Sequence, residues 1–146
     1  MPVRIDSAPF DFAAEAARFA EAAQGAGAIV TFTGLVRDEG GQLTGRGWQH
    51  SPGMTERAVA AIEAEAVARW NLTASLVIHR HGPLRPGETI MMVATAARHR
   101  ADAFAAAEFL MDYLKSRAPF WKKEFGRGGE AWVAARDEDE AALTRW

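Results

Sequence analysis

The chain contains no cysteine. Without thiols it can form neither a disulfide framework nor a thiolate zinc site. It also lacks a cysteine nucleophile and a thiol on which a persulfide could be carried. Thiol-based catalysis and redox switching by this chain are therefore excluded.

Long apolar runs and targeting signals are also missing. No apolar run approaches the roughly 20 residues needed to cross a bilayer, so no membrane contact is expected. The first thirty residues lack the basic start and apolar stretch of a secretory signal, which predicts a cytoplasmic protein. The net charge of −2 argues against a general nucleic-acid binder.

Histidines are few and poorly spaced for metal binding. His50, His79, His81 and His99 form no HxxxH or HExxH pair. With no cysteine to complete a ligand set, no metal site and no metal cofactor are expected.

The composition is that of one globular domain. The 146 residues are 49% hydrophobic and 25% charged, with no internal repeat and no linker rich in proline or glycine. A single domain over residues 1–146 is expected. Within it, the glycine-rich segment 37–47 is predicted to be a mobile loop without a P-loop pattern, and the acidic segment 137–146 a solvated tail.

Hydrophobic periodicity predicts an α+β fold. Ser51 is predicted to cap the second helix, with Pro52 as its first residue, and Pro86–Gly87 to form a turn between strands. Strands are expected at 3–10, 28–36, 43–50, 75–82, 88–97 and 120–125, with 131–136 as an additional candidate, and helices at 11–23, 51–70 and 100–118.

All three lysines lie within residues 113–124 (YLKSRAPFWKKE), whereas the other fourteen basic residues are arginine. Arginine keeps its charge and offers a planar fork, while lysine is a compact amine that can lose its proton or act as a nucleophile. On a helical wheel Lys115 falls at the margin of an apolar stripe that includes Phe104 and Met111, where partial desolvation would lower its pKa. The alternative is a last-turn lysine that compensates the helix dipole and reaches to water.

Lys122 and Lys123 fall on a predicted strand, where alternation places them on opposite faces. Only one of them can therefore easily share a pocket with Lys115.

Basic residues also mark the start of the long helix. Arg98, His99 and Arg100 follow a strand directly, and a helix N-terminus flanked by cations suits a phosphate or carboxylate. Capping or simple solvation is the equally weighted alternative. Arg37, at the end of a buried strand, has the same two interpretations.

Several motifs together resemble the catalytic (large) subunit of molybdopterin synthase. They are TFTGLVRD, HSPGMTERA, VIHRHGPLRPGE, the His99-Arg100 pair and FLMDYLKSRAPFWKKE, and the resemblance runs from about Ile29 to Trp146. It implies an α/β-hammerhead-type α+β domain, with a mixed or antiparallel sheet and flanking helices. This domain would dimerise and bind one small ubiquitin-like subunit at each end, giving a 2+2 heterotetramer.

The resemblance also implies an activity. The family converts cyclic pyranopterin monophosphate into molybdopterin, with sulfur from the thiocarboxylated C-terminus of the small subunit and no metal. The absence of cysteine fits this scheme, because the partner brings the sulfur. The implied catalytic residues are Lys115 and Lys122. The implied substrate-binding residues are Leu35, Val36, Arg37, His99, Arg100, Lys115, Lys122, Lys123, Glu124 and, from the other protomer, Arg136.

Two functions are consistent with these residues. The first is a sulfurtransferase in which the lysines stabilise anionic intermediates and move protons. The second is a non-catalytic module that holds a ubiquitin-like C-terminal tail in a basic groove. A tail binder needs charge but no lysine chemistry, so the lysine cluster favours the enzyme.

Overall fold

The computed structural model describes residues 2–37, 43–50, 53–116, 120–126, 129–133 and 137–146. The side chains of 43–50, 120–126, 129–133 and 137–139 lie outside this description. In the described part of the chain, strands numbered in chain order form two four-stranded sheets. The first sheet has the order β1 (Val3–Asp6), β4 (Ala74–Arg80), β6 (Thr89–Ala97), β2 (Ala28–Leu35). The second has the order β5 (Gly82–Leu84), β3 (Leu43–His50), β7 (Phe120–Gly126), β8 (Gly129–Val133).

The strand pairing confirms the predicted α+β class. Strand β1 runs parallel to β4, and every other described strand pair in both sheets is antiparallel. Division into two sheets was not predicted, and neither was β5, a three-residue strand that contains Pro83 and pairs with β3 at one edge of the second sheet. The chain leaves the first sheet after β4, contributes β5 to the second, and returns to β6 through the predicted Pro86–Gly87 turn. In that turn Gly87 has φ 89° and the Glu88 N–H donates to the Arg85 carbonyl over 3.1 Å.

The first three helices are confirmed as α1 (Phe12–Ala22), α2 (Met54–Trp70) and α3 (Arg100–Ser116). Asp11 caps α1, since its side chain accepts hydrogen bonds from the N–H groups of Ala13 and Ala14 at 3.0 and 3.2 Å. The predicted Ser51 cap of α2 is wrong, because Gly53 precedes the first helical residue. Gly53 adopts φ 80°, a conformation that costs glycine little, and its N–H donates to Glu56.

Two predicted segments overlap parts of the chain with different outcomes. Residues 38–42 of the predicted loop lie outside the described residues, as do Ser51, Pro52 and the predicted end of α3 at 117–118. Residues 43–47 belong to β3, which spans the predicted strand 43–50. The loop prediction therefore extended too far toward the C-terminus.

Both faces of the first sheet are covered. Helices α2 and α3 pack on one face, where Val77 and Val93 meet Phe109 and Leu110. Helix α1 covers the other face and contributes Phe19 to a separate cluster. This double cover explains why β4 and β6 read as nearly continuous apolar runs.

The C-terminal segment is more than the solvated tail that was predicted. Residues Asp137–Ala142 form a fourth helix, α4, which is followed by a 3-10 turn at Leu143–Arg145. Trp146 then packs edge-on against Trp70 and Phe109, with ring centroids 5.5 and 5.6 Å apart. The acidic run 137–140 did not indicate this contact, because the apolar contact is made by Trp146 at the other end of the segment.

A buried carboxylate ties α1 to β1. Glu15 is almost fully buried and pairs with Arg4 on β1 and with Arg18 one turn along α1, the latter at 2.7 Å. The guanidinium of Arg4 lowers the pKa of the Glu15 carboxyl below its usual 4.5, and Arg18 adds to this against the opposing effect of burial. The folded state therefore favours the ionised carboxylate.

Glu15→Gln tests this link through its pH dependence. Because the folded pKa is depressed, the stabilisation is fully present above the unfolded pKa and is lost as pH falls through the folded pKa. We expect the variant to lose about 1–3 kcal/mol of unfolding free energy at pH 7, a range that allows for the exposure of both arginines. The difference from wild type should shrink below about pH 4.5 in urea titrations. Glu21→Gln, an exposed position on α1, is the control, and a pH-independent deficit at Glu15 would contradict the assignment.

Candidate functional site

Lys115 projects from the exposed face of α3. The buried residues of this helix are Ala103, Ala106, Ala107, Phe109, Leu110 and Leu114. Phe104, which was counted in the apolar stripe, is 61% exposed, and Lys115 is exposed as well. The predicted position of Lys115 at the margin of the buried face is therefore wrong. Small alanines let the helix lie close to the sheet, and a wheel based on large apolar residues misplaced the buried face.

The amine of Lys115 is unengaged in the described part of the chain, where it makes no hydrogen bond or ion pair. Its neighbours on the same side of α3 are Glu108 and Asp112. Both carboxylates are bound by Arg145 instead, as detailed below. Lys115 is thus available to an incoming anion.

The segment Leu35-Val36-Arg37 ends the strand β2. Leu35 is exposed, whereas Val36 is buried in the main core. The backbone of Val36 pairs with the turn before β6: its N–H donates to the Glu88 carbonyl at 2.9 Å and its carbonyl accepts from Gly87 at 2.8 Å. Val36 therefore anchors this segment, and Leu35 and exposed Arg37 are the side chains that it presents outward.

His99 and Arg100 lie in the connection between β6 and α3. Both are exposed, as is Arg98, so the predicted cluster of cations at the helix start is present. The start of α3 is fixed by the buried Thr95 hydroxyl, which donates to the Ala103 carbonyl at 2.7 Å. The geometry is compatible with an anion site and equally with simple solvation.

The fold separates these residues into two groups. Helix α3 follows β6 after two residues and packs back on β6 and β2, so it must run antiparallel to β6. The C-terminal end of α3 therefore lies at the end of the sheet where β2 stops and β6 begins, which places Lys115 toward Leu35-Val36-Arg37. His99 and Arg100 lie at the opposite end of these strands. At about 1.5 Å per residue, Arg100 and Lys115 are about 22 Å apart along the helix axis.

The remaining predicted residues are placed only in part. Strand β7 is confirmed and lies between β3 and β8, with Lys122 paired to Trp48 and Val133 in the backbone ladder. The side chains of Lys122, Lys123 and Glu124 lie outside the described residues, and Arg136 does so entirely. Their roles stay predictions.

The sequence reasoning missed Arg145 and Trp146, which bind the two carboxylates on the Lys115 side of α3. Arg145 donates from Nη1 to Glu108 Oε1 at 2.6 Å, and from Nη2 to both carboxylate oxygens of Asp112 at 2.9 and 2.7 Å. Trp146 Nε1 donates to Asp112 Oδ2 at 2.6 Å. The only signal in the sequence was an Arg-Trp pair after an acidic helix, which does not reveal its partners.

The sequence reasoning also missed Gly27, which sets the position of His99 and Arg100 at the start of α3. Its N–H donates to the Ala97 carbonyl at 3.0 Å, and a Cβ built on it would lie 2.3 Å from the Arg98 carbonyl oxygen. The backbones before β2 and after β6 can approach this closely only because residue 27 has no side chain.

The described residues include neither a helix long and apolar enough to cross a membrane nor a group of three or more histidine or carboxylate side chains suited to a metal.

Comparison with known proteins identifies relatives over the whole chain. The model of the family described as "MoaE protein" matches residues 5–117. The chain is 68% identical over 146 residues to the molybdopterin synthase catalytic subunit of Cereibacter sphaeroides, covering 100% of both chains.

Solved structures agree with these matches. The molybdopterin biosynthesis MoaE protein from Burkholderia ambifaria MC40-6 superposes with a TM-score of 0.84 at 48% identity, covering 100% of this chain and 98% of that one. A complex of subunits 1 and 2 of molybdopterin-converting factor from Helicobacter pylori 26695 contains the same fold, with a TM-score of 0.80 at 18% identity over 93% of this chain and 92% of that one.

Gly27→Ala should disturb the start of α3. The added methyl group would meet a backbone oxygen, which cannot swing away like the end of a side chain, so we expect a loss of about 1–3 kcal/mol in unfolding free energy. Gly34→Ala is the matched control, because its methyl group would meet the flexible Met91 side chain at 3.1 Å. Urea denaturation of both variants measures the difference. Equal losses would show that the close approach at Arg98 is not a constraint.

Proposed function

Because this chain belongs to the MoaE family, we propose that it is the sulfurtransferase subunit that converts cyclic pyranopterin monophosphate into molybdopterin in molybdenum cofactor biosynthesis. The single observation that carries this proposal is the 68% identity, over all 146 residues, to a molybdopterin synthase catalytic subunit. The amine of Lys115 is exposed and has no partner among the described residues, and it lies in the motif FLMDYLKSRAPFWKKE, so it supplies a reactive group.

The sulfur comes from a second protein. This chain has no cysteine, so we assign the sulfur to the thiocarboxylated C-terminus of a small ubiquitin-like subunit. The Helicobacter pylori complex of two molybdopterin-converting factor subunits supports such a partner. No metal or other cofactor is required by this scheme, and the site of action is the cytoplasm, with no part for nucleic acid or membrane.

Lys115 and Lys122 act on the transferred group. The thiocarboxylate sulfur adds to an electrophilic substrate carbon, whose carbon–oxygen π bond breaks and leaves an alkoxide that takes up a proton. Water then attacks the acyl carbon of the resulting thioester, the acyl–sulfur bond breaks, and the partner's carboxylate and the substrate's thiol are released; the hydroxyl on the substrate carbon leaves later as water. Both stages place negative charge on oxygen, which an ammonium group stabilises, and both move protons, which an amine can accept or donate. Lys123 and Glu124 contribute to substrate binding from the same strand.

His99 and Arg100 hold the substrate phosphate. They are exposed at the N-terminus of a long helix, where free N–H groups and the helix dipole also favour an anion. Arg37, with the neighbouring Leu35 and Val36, binds the substrate at the opposite end of α3, where β2 stops.

A single small substrate cannot bridge about 22 Å within one protomer. We therefore assign the complete site to a homodimer, in which Lys115 of one protomer meets His99, Arg100 and Arg136 of the other. The surface of β2 is suited to such an interface. This strand is at the edge of its sheet and exposes Ile29, Phe32 and Leu35. With one small subunit on each protomer, the assembly is a 2+2 heterotetramer.

Lys115→Arg is the direct test of lysine chemistry. The guanidinium keeps the charge but stays protonated and is a poor nucleophile, so the single-turnover rate of dithiolene formation should fall about 10²-fold or more. Partner affinity and melting temperature should not change. Lys123→Arg is the matched control and should be much milder. Activity of Lys115→Arg within a few-fold of wild type would reduce the lysine to an electrostatic anchor, as in a simple tail-binding module.

Subunit complementation tests the shared site. Lys115→Ala and His99→Ala/Arg100→Ala should each be impaired, the double variant chiefly through a higher KM. If the site is shared, a mixed dimer contains one site with both defects and one intact site. Co-refolding the two variants with thiocarboxylated partner should therefore restore turnover toward half of the wild-type value per mixed dimer. A mixture no more active than its parents, with mixed dimers verified by mass, would place the whole site within one protomer.

A further inference from the structure

A network of hydrogen bonds joins the C-terminal residues to the last turns of α3. We call Arg145 and Trp146, with their acceptors Glu108 and Asp112, the C-terminal clasp. Arg145 bridges both carboxylates and Trp146 donates a further hydrogen bond to Asp112. Asp112 thus accepts three hydrogen bonds, and its side chain is only 13% exposed.

Asp112 is also the natural partner of Lys115. The two residues are three positions apart on α3, a spacing at which opposite charges attract on a helix surface. Yet Lys115 makes no ion pair with it in the described structure, because the carboxylate is occupied by Arg145 and Trp146. Glu108 lies seven positions before Lys115, about 10 Å along the axis, and is too far to compete directly.

The end of α3 is also held by apolar contacts that do not involve the clasp. Phe109 and Leu114 are buried in the main core and flank Asp112 along the helix. Tyr113 stacks on Phe109 with ring centroids 4.6 Å apart. To these contacts the clasp adds a link between the C-terminal residues and α3, and a cation that competes with Lys115 for the Asp112 carboxylate.

We propose that Arg145 is a positioning residue for the reaction, because it occupies Asp112 and so leaves the Lys115 amine free for the anions of the site. The consequence for turnover rests on the proposed function, whereas the effect on the amine does not. Arginine suits this role, since its planar fork reaches two acceptors at once and its charge does not depend on pH.

Arg145→Ala frees the carboxylate and should draw Lys115 to it. The direct readout is the acetylation rate of the Lys115 amine with acetic anhydride, measured by peptide mass spectrometry. Lys122 and Lys123 are the only other lysines and serve as internal references. We expect Lys115 labelling and single-turnover rate each to fall about two- to fivefold, the range of an exposed ion pair. The deficit should shrink at about 0.5 M salt, which screens such a pair.

Two further variants separate charge from mechanics. Arg145→Ala/Asp112→Asn removes the competing carboxylate along with the clasp arginine, so labelling and turnover should recover. Arg69→Ala is the matched control: Arg69 lies over the Trp146 ring at 5.8 Å and donates to the Trp146 carbonyl at 3.5 Å. Its loss loosens the same segment but frees no carboxylate on α3, so Lys115 labelling should not change.

The outcomes are distinct. Unchanged labelling in Arg145→Ala overturns the proposal, as does a loss that Asp112→Asn fails to restore or that Arg69→Ala reproduces. Labelling that behaves as expected while turnover does not change overturns the catalytic consequence alone. The proposed function itself fails on a separate result, namely an active Lys115→Arg variant.

Discussion

The close packing of α3 against β6 and β2 is the constraint on which the site depends. Ala103, Ala106 and Ala107 allow the helix to approach the sheet, and the Thr95 hydroxyl bonds to the Ala103 carbonyl at its beginning. Because α3 begins two residues after β6 and runs back along it, the two ends of the helix lie at opposite ends of the β6 strand. A change in the packing of this helix would move both groups of functional residues at once.

This arrangement distributes charge in a way that composition conceals. The chain is slightly acidic as a whole, yet both ends of α3 present cations to solvent. At the N-terminal end the exposed Arg98 and Arg100 add to the positive end of the helix dipole, beside His99. At the C-terminal end Lys115 compensates the negative end of the dipole, and Arg145 pairs with the adjacent Glu108 and Asp112, so that these four side chains together carry no net charge. Under the proposed function, the Lys115 amine and the cations at the helix start lie at the two ends of one helix, where each meets one of the two anionic reactants, the thiocarboxylate and the phosphate ester.

The parts of the fold that local chemistry determines were predictable from the sequence. Asp11 indicates the start of α1, because its side chain can cap a helix. Pro86–Gly87 predicts a turn, and alternating or continuous apolar runs predict the longer strands. Features set by tertiary contacts were not. Strand β5 has only three residues, two of which are Gly82 and Pro83, so its sequence does not indicate a strand. The orientation of α3 depends on alanines to which a hydrophobic wheel gives little weight. The resemblance supplied residue identities for the site, but only the packing of α3 on β6 and β2 shows that Lys115 lies toward Leu35-Val36-Arg37 and away from His99 and Arg100.

The division of labour between arginine and lysine has a structural explanation. Arginine cross-links this fold wherever one cation must serve two acceptors: Arg80 donates to the carbonyls of Ser7 and Thr89, and Arg145 joins Asp112 to Glu108. A lysine ammonium, a point charge on a flexible stem, would hold such pairs of acceptors less rigidly. At these two positions the structural need selects arginine and gives no reason for lysine. At Lys115 the structural need is absent, since the side chain is exposed and holds no partner among the described residues. Under the proposed function, that position requires an amine that can exchange a proton, and an arginine cannot meet this requirement.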